Sequence, residues 1–413
     1  MSAIILDGQL KSALSAVRSL GRAGVLVSVG GEHTTCMSLH SRYATTTFVY
    51  PSPYTDKKGF IERIKEEAIR LGDKPVVFAF SDATYLSLYE HREELEASMT
   101  LVFPSDQSVE IAFDKAATYS LAHVSGVQTI PTYTPETKEE VEELGRNLSY
   151  PAVVKTRHSV TWKDGRGVFG SATFVQNEHE LYETFFDLRR KHGESPLIQD
   201  MLYGEEYGVE MLAKEGRVYA LVAHHRVRSL SPTGGASVVK ETLQEGDLKH
   251  TLEAYAKILV TKLSWSGPMM VEFKVDHDSR EPYLMEINGR FWGSLPLAIA
   301  SGVDMPYLFY KMAQGECQRQ RGYPGVMGDS VPSEIVTGRE GVTTAHFLGD
   351  VMHLFRVLVK PDPMRKFLYP RRMKAMRDFC MLPRGTKGDV WSWNDPVPAF
   401  FEIADSIKKR IWK

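Results

Sequence analysis

Two apolar segments, each interrupted by one carboxylate, constrain this chain more than any other feature of its sequence. Glu272 and Glu286 each stand between two large apolar residues, in segments 268–276 and 281–288 that have the pattern of neighbouring β-strands. Because successive side chains of a strand point to opposite faces, Asn288 shares a face with Glu286. A carboxylate in so apolar a strand requires a site that stabilises its charge. The pattern predicts a sheet with one polar site on its face.

We predict that Glu272, Glu286 and Asn288 bind a metal ion. The oxygen atoms of these side chains suit Mg²⁺, which keeps several waters and takes its other ligands from phosphates. Mn²⁺ is the alternative. The alternative is a pair of solvated carboxylates on an exposed hairpin, which the apolar neighbours disfavour. The three cysteines are far apart and have no ligand spacing, which argues against a zinc site or a disulfide framework.

The first hundred residues alternate between strands and helices, which is typical of a parallel sheet covered on both faces. A boundary follows near residue 110, and the middle of the chain has the pattern of antiparallel strands with helices. The fold class is therefore α/β followed by α+β. The predicted elements are strand 3–6, helix 9–22, strand 25–29, strand 75–80, helix 83–96, helix 114–125, strands 151–160 and 170–176, antiparallel strands within 205–240, and helix 294–313.

With these strands in view, the segments Val271-Glu272-Phe273 and Glu286-Ile287-Asn288-Gly289-Arg290 resemble the ATP-grasp superfamily. Within it they are most similar to carboxylate-amine ligases such as D-aspartate ligase, and to short proteins like the large chain of carbamoyl phosphate synthase. The resemblance covers roughly residues 1–315. It implies an ATP-grasp fold in which two α+β subdomains clasp ATP. The expected domains are a Rossmann-like domain (1–110), a lid subdomain (111–200), a core (201–325) and a basic carboxyl-terminal extension (326–413).

The resemblance also implies which residues bind ATP. Lys155 ends an apolar strand and resembles the lysine that reaches the α-phosphate, and Lys115 resembles the second nucleotide lysine. The glycines between residues 165 and 171, Gly167 and Gly170 in particular, are similar to the flexible phosphate lid, although glycines also mark ordinary hairpins. Residues that match the adenine and ribose positions are Gln199, Leu202 and Glu206.

Two arginines are predicted to contact the reacting groups. Arg226 would stabilise the transferred phosphoryl group, with Arg228 as a second candidate on the same strand face. The alternative for both is an ion pair with a surface acid. Arg290, two residues after Asn288, would bind the substrate carboxylate. Asp82 would either face the ligand or cap a helix.

The resemblance implies an ATP-dependent ligase that joins a small-molecule carboxylate to an amine through an acyl phosphate and releases ADP. Two alternatives stay open: a bicarbonate-activating carboxylase or carbamoyl-phosphate-like enzyme, and an ATP-binding module without turnover. No feature indicates a nucleic-acid partner.

Charge is divided unevenly along the chain. Residues 351–413 contain 14 Lys and Arg against 6 Asp and Glu, a net charge of +8, so the rest of the −2 chain carries −10. The tail is either a basic cap packed on the acidic body or a patch that makes weak contact with an anionic membrane surface. The apolar run at the amino terminus is too short for a signal peptide, which predicts a cytoplasmic protein. A homodimer is compatible with the sequence.

Overall fold

The computed structural model of the protein describes residues 2–163, 165–315, 335–359, 362 and 364–411. Strands β3, β2, β1 and β4 form a parallel sheet in that order, which confirms the predicted amino-terminal sheet. The predicted helix 83–96 is two helices that meet at His91. The elements are β1 (Ser2–Ile5), α1 (Lys11–Arg22), β2 (Leu26–Gly31), a 3₁₀ turn (Met37–His40), β3 (Thr46–Val49), α2 (Lys57–Leu71), β4 (Val76–Phe78), α3 (Asp82–Glu90) and α4 (Arg92–Leu95).

Asp7 joins the carboxyl ends of β1 and β4. Its Oδ2 accepts hydrogen bonds from the backbone nitrogens of Phe80 (2.8 Å) and Ser81 (3.0 Å), and Thr84 Oγ1 donates to its Oδ1 (2.7 Å). Burial raises the pKa of the Asp7 carboxyl, and these hydrogen bonds oppose that effect. The loop before α3 is thereby fixed, and with it the side chain of Asp82.

A second, smaller sheet forms the middle of the chain. Strands β5, β10, β6 and β9 lie in that order and pair antiparallel, while β7 and β8 form a separate hairpin. The helix that begins with Lys115 is capped by Asp114, whose side chain accepts from Ala116 N. The elements are α5 (Asp106–Phe113), α6 (Lys115–Val124), β5 (Thr132–Tyr133), α7 (Lys138–Asn147), β6 (Ala152–Lys155), β7 (Val160–Lys163), β8 (Arg166–Phe169), β9 (Ala172–Val175), α8 (Glu178–His192) and β10 (Leu197–Asp200).

The third sheet is the largest and runs through residues 204–288. Strands β15, β14, β11, β12 and β13 lie in that order, all antiparallel, as the alternating sequence predicts. The predicted helix 294–313 is wrong as a single element, because Gly302 has a left-handed conformation (φ +104°) that ends the first of two helices. The elements are β11 (Gly204–Lys214), β12 (Arg217–Ser231), β13 (Gly234–Thr242), α9 (Asp247–Lys262), β14 (Gly267–Asp276), β15 (Pro282–Asn288), α10 (Leu295–Ser301) and α11 (Met305–Ala313).

The carboxyl-terminal segment contributes further strands to this large sheet. Strand β17 pairs with β13 and β18 pairs with β17, while β16 pairs with β12. Helix α12 packs on β12 and beside α14. The elements are β16 (Val336–Thr337), β17 (Thr343–Ala345), α12 (Phe347–Val359), α13 (Arg365–Leu368), α14 (Arg372–Cys380), β18 (Lys387–Gly388) and α15 (Val397–Ile411).

Buried ion pairs attach this segment to the amino-terminal domain. Arg18 of α1 donates to Asp395 Oδ2 (2.8 Å) and to the backbone oxygens of Asp395 (2.7 Å) and Val390 (2.8 Å). Asp395 also accepts from Ser41 Oγ at 2.7 Å. Lys11, at the start of the same helix, donates to the carboxylate of Asp389 at 2.6 Å. Each buried charge therefore has a partner from the opposite end of the chain.

Removing one member of the Arg18 pair should destabilise the whole protein. We expect Asp395→Ala to lower the free energy of unfolding by about 3 to 5 kcal/mol, because it leaves the Arg18 guanidinium buried without its counter-ion. Asp378→Ala is the matched control, since Asp378 pairs with exposed Lys374 and Arg377 and should cost about 1 kcal/mol or less. Urea unfolding followed by circular dichroism measures both. Equal losses would show that the buried pair does not hold the segment in place.

Candidate nucleotide and metal site

The two strands that carry the carboxylates are neighbours in the large sheet. Glu272 of β14 lies opposite Glu286 of β15, and the register shifts directly after Glu272. Asn288 Nδ2 lies 3.1 Å from Glu272 Oε1 and 3.3 Å from Glu286 Oε1. The structure therefore brings together the three side chains that the sequence predicts as metal ligands.

The charges around Glu272 favour a bound cation. Its side chain is only 17% exposed. Burial raises the pKa of Glu272 to about 7, and the neighbouring carboxylates of Glu286 and Glu206 add to that effect while Arg226 opposes it. Within the described part of the chain, no three His, Cys, Asp or Glu side chains form a metal-binding group. Two carboxylates are instead an incomplete ligand set, which fits a magnesium ion that takes its remaining ligands from water and phosphate. Asn288 turns its amide nitrogen toward them, while its Oδ1 accepts from Arg290.

Two lysines lie beside these carboxylates. Lys155 ends β6 and is 7% exposed, and its Nζ donates to the hydroxyl of Tyr119. Burial, together with the nearby charge of Lys115, lowers the pKa of Lys155 to about 7. Lys115 Nζ donates to Ser159 Oγ at 3.1 Å and lies 4.0 Å from Glu286 Oε2. Two cations this close, one of them buried, are suited to an anion such as phosphate.

The predicted glycine lid is a hairpin, and its two singled-out glycines have different surroundings. Gly170 lines a cavity that Lys155 and Glu286 also line. A Cβ added to Gly170 would lie 2.4 Å from Thr156 Oγ1. Gly167 is not among the cavity-lining residues, and its backbone nitrogen donates to the backbone oxygen of Tyr54 at 2.7 Å. Phe169 also contacts the Tyr54 ring, with 4.3 Å between centroids. The hairpin thus rests on the amino-terminal domain.

The residues predicted to bind adenine and ribose are also separated by the structure. Glu206 of β11 lines the cavity, and its Oε2 accepts from Arg226 Nη1 and Ser229 Oγ, both at 3.1 Å. Gln199 is buried in β10, where its Nε2 donates to Thr132 Oγ1 at 2.6 Å. Leu202 follows β10, and neither Gln199 nor Leu202 is among the residues that line the cavity. The role of Gln199 and Leu202 in adenine binding therefore stays a prediction.

The structure distinguishes the two candidate arginines of β12. Arg226 lines the cavity, and its Nη2 lies 2.9 Å from Glu272 Oε2. Arg228 forms a two-pronged ion pair with Asp350 of α12, with both N–O distances at 2.8 Å. Both arginines thus form ion pairs: Arg228 pairs with an acid of α12 that is buried rather than at the surface, and Arg226 pairs with Glu206 and with the predicted metal ligand Glu272.

Arg290 links the site to the amino-terminal domain. Its Nε donates to Asp82 Oδ1 at 2.7 Å, and its Nη2 donates to Asn288 Oδ1 at 2.9 Å. Asp82 is the first residue of α3, and the cap of that helix is Ser81, whose side chain accepts from Thr84 N. Asp82 is therefore not the cap of α3; its carboxylate binds Arg290, which lines the cavity, and Asp82 itself is not among the cavity-lining residues.

One cavity of about 510 Å³ contains most of these groups. Sequence reasoning missed Ser294, which lines the cavity, and Tyr119, which contacts Lys155. It also missed Glu210, which is fully buried in β11 and accepts from Ser294 Oγ at 2.5 Å. Burial raises the pKa of Glu210 to about 8. Glu210 stands between apolar neighbours as Glu272 does, and the same signal could have found it.

Comparison with known proteins agrees with this arrangement. Residues 193–327 match a family model described as ATP-grasp in the biosynthetic pathway with Ter operon. The arginine-specific large chain of carbamoyl phosphate synthase from Halalkalibacterium halodurans is 22% identical over 218 residues. That match covers 52% of this chain and spans only 20% of the length of the relative.

Two solved structures are similar over most of the chain. The biotin carboxylase domain of the 2-oxoglutarate carboxylase from Hydrogenobacter thermophilus, a dimer in complex with MgADP, ADP and bicarbonate, has a TM-score of 0.61 at 15% identity and covers 80% of this chain and 72% of its own. The L-amino acid ligase from Bacillus licheniformis has a TM-score of 0.56 at 16% identity and covers 76% of each chain. With its parallel amino-terminal sheet and its two antiparallel sheets, the chain has an ATP-grasp fold, and residues 193–327 match an ATP-grasp family.

Proposed function

We propose that the protein is an ATP-dependent ligase that joins a carboxylate to an amine through an acyl phosphate. The observation that carries the proposal is a line of contacts along the cavity wall. Lys115 lies 4.0 Å from Glu286, Glu286 lies 3.3 Å from Asn288, and Asn288 lies 2.9 Å from Arg290. Cations suited to phosphate thus stand at one end and a cation suited to a carboxylate at the other, with the candidate metal ligands between them.

Each side chain of this line has a role that follows from its charge. Lys155 and Lys115 would neutralise phosphate oxygens of ATP, and Glu206 would accept hydrogen bonds from the ribose hydroxyls. A magnesium ion held by Glu272, Glu286 and Asn288 would offset negative charge on the β- and γ-phosphates. Arg290 would orient the carboxylate, and Arg226 would meet the charge on the transferred phosphoryl group.

The chemistry has two steps. A carboxylate oxygen attacks the γ-phosphorus of ATP, the bond to the bridging oxygen breaks, and ADP leaves with the electron pair. The nitrogen of the amine then attacks the acyl carbon, phosphate leaves, and the nitrogen loses a proton as the amide forms. Phosphate is a far better leaving group than oxide, which is why activation makes the second step accessible. The hairpin that rests on Tyr54 would keep water from the acyl phosphate.

A second candidate is activation of bicarbonate in place of an organic acid. The similarity to a biotin carboxylase domain solved with bicarbonate favours it, while the similarity to an L-amino acid ligase favours the first candidate. Phosphate release from ATP distinguishes the two candidate functions. An enzyme that activates bicarbonate would release phosphate without any organic acid. A module that only binds ATP would release none under either condition.

Glu286→Gln should abolish turnover and leave the fold intact, because it removes a negative metal ligand with almost no change in volume. We expect phosphate release to fall by at least about 100-fold, on the order of the loss of one transition-state charge contact. Glu205→Gln is the matched control, since Glu205 is 45% exposed and hydrogen-bonded to Tyr207. Near-normal phosphate release by folded Glu286→Gln at moderate magnesium would remove the basis of the metal assignment.

Lys155→Ala and Arg290→Ala should affect different ligands. Loss of a charge-assisted hydrogen bond is expected to weaken ATP binding to Lys155→Ala by roughly 10- to 100-fold, with little change in affinity for the acid. Arg290→Ala should show the reverse. Calorimetric titration of each variant measures both affinities, and Lys163→Ala serves as the control because its Nζ donates to the backbone oxygen of Arg190. The assignment is wrong if both variants lose the same ligand.

The nucleotide product should be ADP, and hydroxylamine should trap a hydroxamate when only ATP and the organic acid are present. Hydroxylamine replaces the amine in the second step because it attacks the same acyl carbon. Chromatography of the nucleotides and mass spectrometry of the hydroxamate provide the measurement, with a panel of amino acids and other acids as substrates. Formation of AMP and pyrophosphate would contradict the acyl-phosphate route.

A further inference from the structure

Exposed apolar side chains are concentrated in the carboxyl-terminal segment. Among the described residues, 13 of the 20 large apolar side chains that stand exposed lie between residues 347 and 403. Scattered exposed apolar residues are normal on a protein surface, but a concentration of this kind marks an interaction site. We therefore expect this part of the molecule to bind a partner.

Helix α12 presents one apolar stripe to solvent. Phe347, Val351, Phe355 and Val359 recur every four residues and are 73%, 37%, 56% and 60% exposed. The opposite side of the helix packs on β12, where His353 Nδ1 bonds to the backbone oxygen of Ser229 at 2.7 Å. The helix is therefore anchored to the large sheet by one side, and its outer side is apolar.

Helix α14, which packs beside α12, adds methionines and cations to the same region. Met373 and Met376 are 78% and 47% exposed, and Met381 follows at 71%. Five basic residues also stand exposed here against one acid, Asp378, which is 26% exposed. These basic residues are Arg371, Arg372, Lys374, Arg377 and Arg384.

Three other acids of this segment face the opposite way from Asp378. Asp389 pairs with Lys240 and Lys11, Asp395 with Arg18, and Glu402 bonds to His346 at 2.6 Å. These contacts turn the acids toward the body of the protein. Among the described residues 371–384, the five exposed cations therefore outnumber Asp378, the one acid beside them, and the exposed methionines lie in the same stretch.

We propose that the exposed side of α12 and α14 docks on an anionic membrane surface. Apolar side chains interleaved with cations match the headgroup boundary of a bilayer, where the apolar groups are buried and the cations meet phosphates. A second copy of the chain is disfavoured as the partner, since two such faces would oppose like charges. Among the described residues, no helix has both the length and the apolarity to span a bilayer.

The test is sedimentation of the full-length protein with vesicles of phosphatidylcholine alone or with about one quarter phosphatidylglycerol. We expect binding to the anionic vesicles at low salt and its loss at high salt, because screening weakens such attraction. The triple variant Arg371→Glu/Arg372→Glu/Lys374→Glu should bind roughly 100-fold more weakly, since each basic residue near an anionic surface contributes about a fivefold factor. Met373→Ser/Met376→Ser should weaken binding by about tenfold.

Matched controls carry the same changes elsewhere on the surface. Lys58→Glu/Lys65→Glu/Lys138→Glu reverses three exposed lysines, and Ile69→Ser/Val124→Ser removes two exposed apolar side chains. Both should bind as the unaltered protein does. The proposal is overturned if anionic vesicles bind no protein at low salt, if they bind no more than neutral ones, or if the controls lose as much affinity as the test variants. Dimers in sedimentation velocity that Met373→Ser/Met376→Ser abolishes, without vesicle binding, would identify a second copy as the partner instead.

Discussion

The burial of several carboxylates on one face of the large sheet is the constraint that the rest of the structure depends on. Glu206, Glu210 and Glu272 lie on neighbouring strands, and desolvation opposes the charge of the two whose pKa is raised, Glu210 and Glu272. Arg226 bridges Glu206 and Glu272 and compensates part of that cost. A sheet built only for stability would replace such a cluster with apolar residues. In the proposed function, a bound cation would offset the negative charge of this cluster.

The features that depend on local pattern could be predicted from the sequence. The period of two along 281–288 places Glu286 and Asn288 on one face, and the apolar run before Lys155 indicates a buried strand that ends in a cation. The ends of elements were harder to predict. The break at Gly302 depends on a left-handed backbone conformation that the apolar pattern of 294–313 does not indicate. Periodicity reports burial, and burial continues across that break.

Contacts between distant residues could not be predicted. Arg226 and Arg228 carry the same charge and lie two residues apart. The sequence does not show that Arg228 pairs with Asp350, more than a hundred residues later, while Arg226 pairs with Glu272 in the cavity wall. The hydrogen bond between Gly167 N and Tyr54 O could not be predicted either, because the sequence around each residue does not indicate that the two are in contact. Fold similarity likewise constrains the reaction more than it constrains the identity of the substrates.

The pairing of Arg18 with Asp395 has a consequence for the order in which the molecule can be completed during synthesis. Domains generally begin to fold as they leave the ribosome, amino terminus first. Here α1 is translated early, but the Arg18 guanidinium has no carboxylate partner until Asp395 has been translated. Lys11, in the same helix, likewise has no partner until Asp389 has been translated. The first domain must therefore spend most of its translation with two cations hydrated and one flank of α1 uncovered. A nascent chain of this protein should consequently need protection at that flank until the last strand arrives.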